Sequence, residues 1–150
     1  MIRTVRVFVA ACAALVLALG GASRLVAQER SYVVIVNEGN PVADLTTEEL
    51  SLLFMKRAVR WATGQAATPV DLSERSAVRA SFSQEVHGKS TDEIKAYWRR
   101  AIFAGRIVPP MEASSEEAVV AYVRNNPGAI GYVSAATPLG QGVKAVKVKD

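Results

Sequence analysis

The chain has 150 residues, of which 50% are hydrophobic and 21% charged, and its formal net charge is +4. It contains one cysteine and one histidine, which excludes an internal disulfide, a cysteine-ligated metal and any site built from several histidines. A chain of this length can form one domain around one hydrophobic core.

The first segment has the composition of a secretory signal peptide. Arg3 and Arg6 precede an unbroken apolar run, Val7–Leu19, and Leu25-Val26-Ala27 forms a cleavage box before Gln28. The run of 13 residues is shorter than the ~20 residues of a membrane-spanning helix. We therefore predict a signal peptide over residues 1–27, export to the periplasm, and a mature domain over residues 28–150.

Cys12 leaves one alternative open at this end of the chain. Val9-Ala10-Ala11-Cys12 has the form of a lipoprotein box, and a lipid on Cys12 would anchor the protein. The apolar run continues beyond the cysteine to Leu19, however, which places this box too early.

Without residues 1–27 the balance of charge is nearly even. That segment contains three arginines and no acidic residue, so 15 basic and 14 acidic residues remain, a net charge of +1. A nucleic-acid-binding domain would keep a basic patch, and the sequence shows only short basic doublets. We therefore predict no nucleic-acid partner.

The mature chain opens with a strand and a helix. Tyr32–Val36 is a β-branched run typical of a strand buried on both faces. Thr46 and Glu49 then form a capping box, which predicts a helix that ends near Met55. The following residues, 56–67, have no regular pattern.

A second strand and two more helices follow. Thr68–Leu72 has the pattern of a strand, and Ser73 is predicted to cap a helix over Glu74–Val86, which Gly88 ends. Ser90 and Glu93 form a second capping box, and the next helix is predicted to end near Phe103. Its apolar face consists of Ile94, Tyr97, Trp98, Ala101 and Ile102.

The last third of the chain repeats this alternation. Ser114 and Glu117 predict a third capping box, and the helix after it ends at Asn125-Asn126-Pro127-Gly128. Ala129–Val133 is predicted to be a strand. Val143–Val148, interrupted by lysines, is predicted to be an exposed edge strand.

This order of elements predicts an α/β fold. Strands that alternate with helices form a mainly parallel sheet, here of about four or five strands with helices on both faces. The last strand is a candidate for antiparallel pairing.

The sequence offers little that could catalyse a reaction. His87 lies in the last turn of a predicted helix, where a solvated imidazolium is favoured by the helix dipole. The acidic pairs at positions 48–49, 92–93 and 116–117 lie in the first turns of helices, where capping explains them. No phosphate loop or dinucleotide-binding glycine pattern is present. We predict a non-enzymatic protein without cofactor or metal.

The two tryptophans differ in their predicted environment. Trp98 falls on the apolar face of its helix and is predicted to lie in the core. Trp61 lies in a turn-rich segment, where either burial or a surface contact is open.

The best candidate binding site is the start of the helix after the second strand. Free backbone N–H groups and the positive end of the dipole favour an anion there. Ser73, Ser76 and Arg75 supply side-chain donors, with Arg79 nearby.

Three stretches together resemble the phosphate-type periplasmic solute-binding proteins of ABC importers. They are the first strand, turn and helix (with Phe54, Lys56 and Trp61), the strand-to-helix turn within Pro69–Phe82, and N-N-P-G-A-I-G-Y-V at Asn125–Val133. The last is similar to the family's Pro-Gly-Ala-Ile-Gly-Tyr signature. Y-W-R-R-A-I-F-A-G, at Tyr97–Gly105, is similar to short, stand-alone members.

The resemblance implies one lobe of a type 2 periplasmic-binding-protein-like fold that captures an oxyanion such as phosphate. It also implies an ABC permease or another cell-envelope protein as partner, or a homodimer that closes the cleft. Two departures keep a second hypothesis open, that of an interaction or scaffold module that has lost its ligand. The chain has room for one lobe only, and its cradle segment Asp71–Ala77 has Asp71 near the place of the family's arginine and lacks the family's glycines.

Overall fold

The structure, a computed structural model, describes residues 29–150. The predicted signal peptide and the alternative of a lipid on Cys12 lie outside the described residues. The strands are β1 (Tyr32–Asn37), β2 (Asp44–Thr46), β3 (Thr68–Leu72), β4 (Met111–Ala113), β5 (Ala129–Ser134) and β6 (Val143–Lys149). The helices are α1 (Thr47–Phe54), α2 (Ala77–His87), α3 (Thr91–Phe103) and α4 (Glu116–Asn125).

The α/β prediction is confirmed, and the sheet is mostly parallel. Six strands lie in the order β2-β6-β1-β5-β3-β4. β2 with β6, β5 with β3, and β3 with β4 are parallel pairs, whereas β1 is antiparallel to both β5 and β6. The two strands that the sequence did not predict, β2 and β4, have three residues each, too few to give a periodic signal.

The prediction that the last strand lies at an edge is wrong. β6 lies between β1 and β2, because Asp44–Thr46 pairs with Lys147–Lys149. Its antiparallel pairing with β1 is confirmed. The edges of the sheet are the two short strands, which leave little unpaired backbone.

Helices cover both faces of the sheet. On one face, the ring of Phe82 from α2 stacks on Tyr132 of β5 at 3.8 Å between centroids, and Phe54 of α1 lies 5.6 Å from Tyr132. On the other face, the valines of α4 pack against Gly131 of β5. α3 lies outside this core and packs Ile94 and Trp98 against Met55.

Two helices begin later than predicted, and in each case another serine provides the cap. α2 begins at Ala77, because the hydroxyl of Ser76 rather than Ser73 accepts from the N–H of Arg79. α4 begins at Glu116, because Ser115 rather than Ser114 accepts from the N–H of Ala118. The predicted capping boxes of α1 and α3 are confirmed.

Candidate functional site

Three parallel strands end at the same edge of the sheet. β5, β3 and β4 run side by side in one direction, so their carboxyl ends meet the amino ends of the helices that follow two of them. In open α/β sheets this edge is where ligands bind.

A polar cleft of about 340 Å³ lies at this edge. It contains the N-cap residues of both α2 and α4, so the unpaired N–H groups of two helix starts face one region. The lining residues are Leu72, Ser73, Ser76, Ser114, Ser115, Glu116, Glu117 and Thr137.

Two of the three predicted site residues lie in this cleft. Ser73 and Ser76 line it and are joined by a turn in which Ser76 N–H donates to the Ser73 carbonyl at 2.9 Å. Arg75 is exposed and does not line the cleft. Its backbone N–H donates to Ser73 Oγ at 3.4 Å.

Arg79, which the sequence suggested as an additional ligand donor, has a structural role. Its side chain is buried and lies 3.3 Å from an Asp71 carboxylate oxygen and 2.8 Å from Glu112 Oε2. It also donates to the carbonyl of Leu72. Asp71 in turn accepts from the hydroxyl of Tyr132. Arg79 therefore ties α2 to β3 and β4 and does not reach the cleft.

Burial governs the protonation of this network. Desolvation raises the pKa of Asp71, although the guanidinium of Arg79 and the Tyr132 hydroxyl oppose the rise. Desolvation and the Asp71 carboxylate raise the pKa of Tyr132. The Tyr132 hydroxyl therefore stays protonated and donates a hydrogen bond to Asp71.

Glu74 lies outside the helix that was predicted to begin with it. It precedes α2, is exposed, and forms an ion pair with Lys95 Nζ at 2.8 Å. The hydrogen bond and charge of Lys95 lower the pKa of Glu74.

The carboxylates that do enter the cleft belong to α4. Glu116 Oε2 accepts from the Ser134 N–H at 2.6 Å and from the hydroxyl of Thr137. Glu117 lines the same cleft and is exposed. Glu116 is thus an anion of the protein itself that already accepts from donors at the end of β5 and just after it.

Sequence reasoning missed Ser115, Glu116 and Thr137 as cleft residues. The rule that parallel strands end at one edge could have found them, since Ser115 and Glu116 follow β4 and Thr137 follows β5. The missing signal was β4 itself, which is only three residues long.

His87 is not the solvated C-terminal histidine predicted. Its Nδ1 lies 2.9 Å from Ser51 Oγ, and its ring packs edge-on against Phe82. Desolvation, with the charges of Arg79 and Lys89, lowers the pKa of His87 from 6.5 to about 4. The imidazole is therefore neutral at pH 7.

This environment makes stability depend on pH. Between pH 6.5 and the lowered pKa of His87 (about 4) the unfolded chain binds a proton that the folded chain excludes, so stability is lost as pH falls. From pH 6.5 to 5 we expect the free energy of unfolding to fall by at most about 1.5 kcal/mol. Urea titrations across this range measure the fall, and His87→Gln should remove it. A fall of equal size in the variant would assign the proton to another group.

Both tryptophans are buried. Trp98 lies in the cluster formed with Met55 and Ile94, as predicted. Trp61 donates its indole N–H to the Gly128 carbonyl at 2.9 Å, so it holds the segment between α1 and β3 against the start of β5.

A larger cleft of about 450 Å³ lies between α1 and the segment around Trp61. Its lining is mostly apolar and includes Leu52, Leu53 and Ala58. Asn40 Nδ2 has no hydrogen-bond acceptor here, but the atom is buried below the surface, out of reach of a ligand. The exposed Arg60 and Thr63 also line this cleft, but so do the carboxylates of Asp44 and Glu49, so two acidic side chains there offset one cation.

Residues 29–150 contain no group of three or more histidine, cysteine, aspartate or glutamate side chains arranged to hold a metal ion. None of the helices in this part of the chain has the length and apolar character needed to cross a membrane.

Comparison with known proteins places the fold. No family model and no curated protein matches the sequence. Among solved structures, an ABC-type phosphate transport receptor from Vibrio cholerae is similar, with a TM-score of 0.62 and 23% identity over 79% of this chain and 46% of that one.

Two further structures agree with it. A phosphate ABC transporter substrate-binding protein with bound phosphate, from Clostridium perfringens, has a TM-score of 0.63 and 23% identity over 79% of this chain and 44% of that one. PstS from Borrelia burgdorferi has a TM-score of 0.61 and 14% identity over 79% of this chain and 47% of that one. This chain thus spans less than half the length of each of these structures and has the fold of one lobe of the phosphate-type substrate-binding proteins.

Proposed function

We propose that this chain is an exported, non-enzymatic solute-binding domain that captures an oxyanion such as phosphate in the polar cleft. The observation that carries the proposal is the meeting of two helix starts with several hydroxyl groups at the carboxyl ends of β3, β4 and β5. The similar structures are described as a phosphate transport receptor and a phosphate-transporter substrate-binding protein. The periplasm, and an ABC permease or another cell-envelope protein as partner, belong to the same proposal.

The proposed ligand contacts are Ser73, Ser76 and Arg75. Ser76 Oγ accepts the Arg79 N–H at 3.2 Å, which leaves the hydroxyl proton to donate to an anion. Ser73 Oγ accepts only a long contact at 3.4 Å and can donate in the same way. Arg75 closes over the anion from the solvent side, where its charge-assisted bond adds to the helix dipole.

An isolated lobe binds weakly. Each charge-assisted hydrogen bond contributes about 1.5–3 kcal/mol, so losing about four from an absent second lobe removes roughly 6–12 kcal/mol. A 1 μM site amounts to about 8 kcal/mol. Glu116 and Glu117 repel an anion further. A homodimer or a partner protein that closes the cleft would restore donors.

The first test is an NMR titration of the amide signals with phosphate and with sulfate at low ionic strength. We expect a dissociation constant of about 1 mM or weaker, rising with salt, and shifts centred on residues 73–79. The double variant Arg75→Ala/Ser76→Ala should weaken binding at least about ten-fold, since it removes a cation and a hydroxyl. A matched control, Arg57→Ala/Ser90→Ala, removes an exposed arginine and the N-cap of α3 and should leave binding unchanged.

Equal affinities of the wild type and the Arg75→Ala/Ser76→Ala variant would place the anion elsewhere. No affinity for either oxyanion, even in a dimeric state, would favour the second hypothesis, an interaction or scaffold module of the cell envelope. Glu116 and Glu117 in the cleft are the observation on its side.

A further inference from the structure

The end of α3 and the turn after it form a protruding apolar surface, residues 99–108, which we call the α3 tip. Phe103 is 96% exposed, Val108 is 73% exposed and Ile102 is 55% exposed. The sequence had placed Ile102 on the core face of α3, and that prediction is wrong. Ile102 instead lines a surface cleft together with Pro109 and Pro110, which follow the α3 tip in the chain.

Three arginines belong to the same segment as these apolar side chains. Arg99, Arg100 and Arg106 are all exposed, and no acidic residue occurs between Ile94 and Met111. Within the part of the chain that the structure describes, none of the three forms an ion pair with a carboxylate. Lys95, the other cation of this stretch, is paired with Glu74. The α3 tip is therefore apolar and positively charged in a protein that is otherwise nearly neutral.

Three backbone donors in the turn of the α3 tip are already hydrogen-bonded within the protein. The N–H of Ala104 donates to the Arg100 carbonyl, that of Gly105 to Ile102, and that of Arg106 to Ala101. Gly105 has φ +64°, a conformation that favours glycine and allows the turn to close on itself. Because these donors are already bonded, moving the turn into a less polar medium does not leave them unsatisfied.

We propose that the α3 tip binds an anionic lipid surface. Phe103 and Val108 enter the boundary between headgroups and acyl chains, and Arg99, Arg100 and Arg106 contact lipid phosphates. Apolar side chains beside a cluster of cations are the combination that interfacial binding requires. This inference goes beyond the proposed oxyanion site and does not depend on it.

A second copy of the chain is a poorer occupant. In a two-fold dimer the same patch faces itself, so the three arginines of one copy would lie against those of the other with no carboxylate of the patch to neutralise them. An extended lipid surface supplies many negative charges at once. It also needs no matching groove for a side chain as exposed as Phe103.

The experiment measures co-sedimentation with two kinds of vesicle, phosphatidylcholine alone and equal parts of phosphatidylcholine and phosphatidylglycerol. Each variant is made in the full chain and in residues 28–150, a segment that contains the whole sheet and both core clusters. Residues 1–27 are apolar and could bind vesicles themselves, so the shorter form isolates the tip. We expect binding to the mixed vesicles and little to the neutral ones.

Substitutions in the α3 tip test which residues are responsible for binding to the mixed vesicles. Arg100→Gln/Arg106→Gln should weaken it about 30-fold, since each basic residue near an anionic surface contributes about five-fold. Phe103→Ser should weaken it about ten-fold. Matched controls are Arg57→Gln/Lys147→Gln, with the same change of charge, and Val59→Ser, which removes an apolar side chain 55% exposed elsewhere. Both controls should bind as the wild type does.

Three outcomes would overturn the proposal. One is no binding of the 28–150 wild type to the mixed vesicles, and another is binding that the tip variants leave unchanged. The third is dimerisation in sedimentation equilibrium that Phe103→Ser abolishes while vesicle binding stays the same, which would assign the α3 tip to a second copy. Unchanged thermal unfolding of Phe103→Ser serves as the check that the fold is intact.

Discussion

Replacing Arg79 with methionine is expected to lower the free energy of unfolding by about 3–5 kcal/mol, the usual loss when one partner of a buried ion pair is removed. The guanidinium is the cation that neutralises Asp71 and Glu112, and it also donates to the Leu72 carbonyl. Of the two carboxylates, Asp71 is buried more deeply, so most of the loss arises there. Urea unfolding at pH 7 measures the loss.

A second substitution separates the ion pair from simple packing. In Arg79→Met/Asp71→Asn the stranded charge is gone and the amide can still accept from the Tyr132 hydroxyl, so about half of the loss should be regained. Arg75→Met, four residues earlier and exposed, should change stability by less than about 0.5 kcal/mol. If Arg79→Met were as mild as Arg75→Met, Arg79 would not be the structural residue inferred here.

Local patterns predicted the elements of this fold well. The helix boundaries set by capping boxes at Thr46 and Ser90 were confirmed, as were the strand at Thr68–Leu72 and the glycine stop at Gly88. These signals lie within a few residues of one another along the chain, so spacing alone reveals them.

What the sequence could not predict depends on pairing between distant residues. The interior position of β6 follows from its pairing with β2, about a hundred residues earlier. The role of Arg79 follows from Asp71 and Glu112, which lie on two neighbouring strands with Cα partners in register. An arginine three residues into a helix looks the same in a sequence whether it binds a ligand or a buried carboxylate.

The motif that carried the family resemblance likewise has structural roles that its sequence alone does not distinguish from ligand binding. In Pro127–Tyr132, Gly131 lies against the valines of α4, and Tyr132 stacks on Phe82 and donates to Asp71. Ala129 and Ile130 are fully buried. Each of these residues has a packing role and none of them lines the polar cleft. The motif is therefore explained by packing, whereas the proposed ligand contacts lie in the less distinctive segment Ser73–Ser76.

Gly128 in this motif should tolerate no side chain. A Cβ there would lie 2.2 Å from the backbone carbonyl oxygen of Ala66, so one of the two chain segments must move. The Gly128 carbonyl accepts from the Trp61 indole and from the Thr68 N–H, and the movement would break both bonds. We expect Gly128→Ala to lower the free energy of unfolding by at least about 3 kcal/mol, from overpacking and lost hydrogen bonds together.

Two other glycines calibrate the Gly128→Ala result in the same urea unfolding experiment. Gly131→Ala would place its Cβ 2.6 Å from a Val119 methyl group. Because that methyl group belongs to a side chain, which can shift more easily than backbone, we expect a loss of about 1–3 kcal/mol. Gly39→Ala meets only the side-chain oxygen of Asn37 at 3.2 Å and should cost less than about 1 kcal/mol.

A loss for Gly128→Ala no greater than that for Gly39→Ala would mean that the segment around Trp61 can move without a cost in stability. Trp61 fluorescence, which reports on the indole that donates to Gly128, should then shift without a loss of stability.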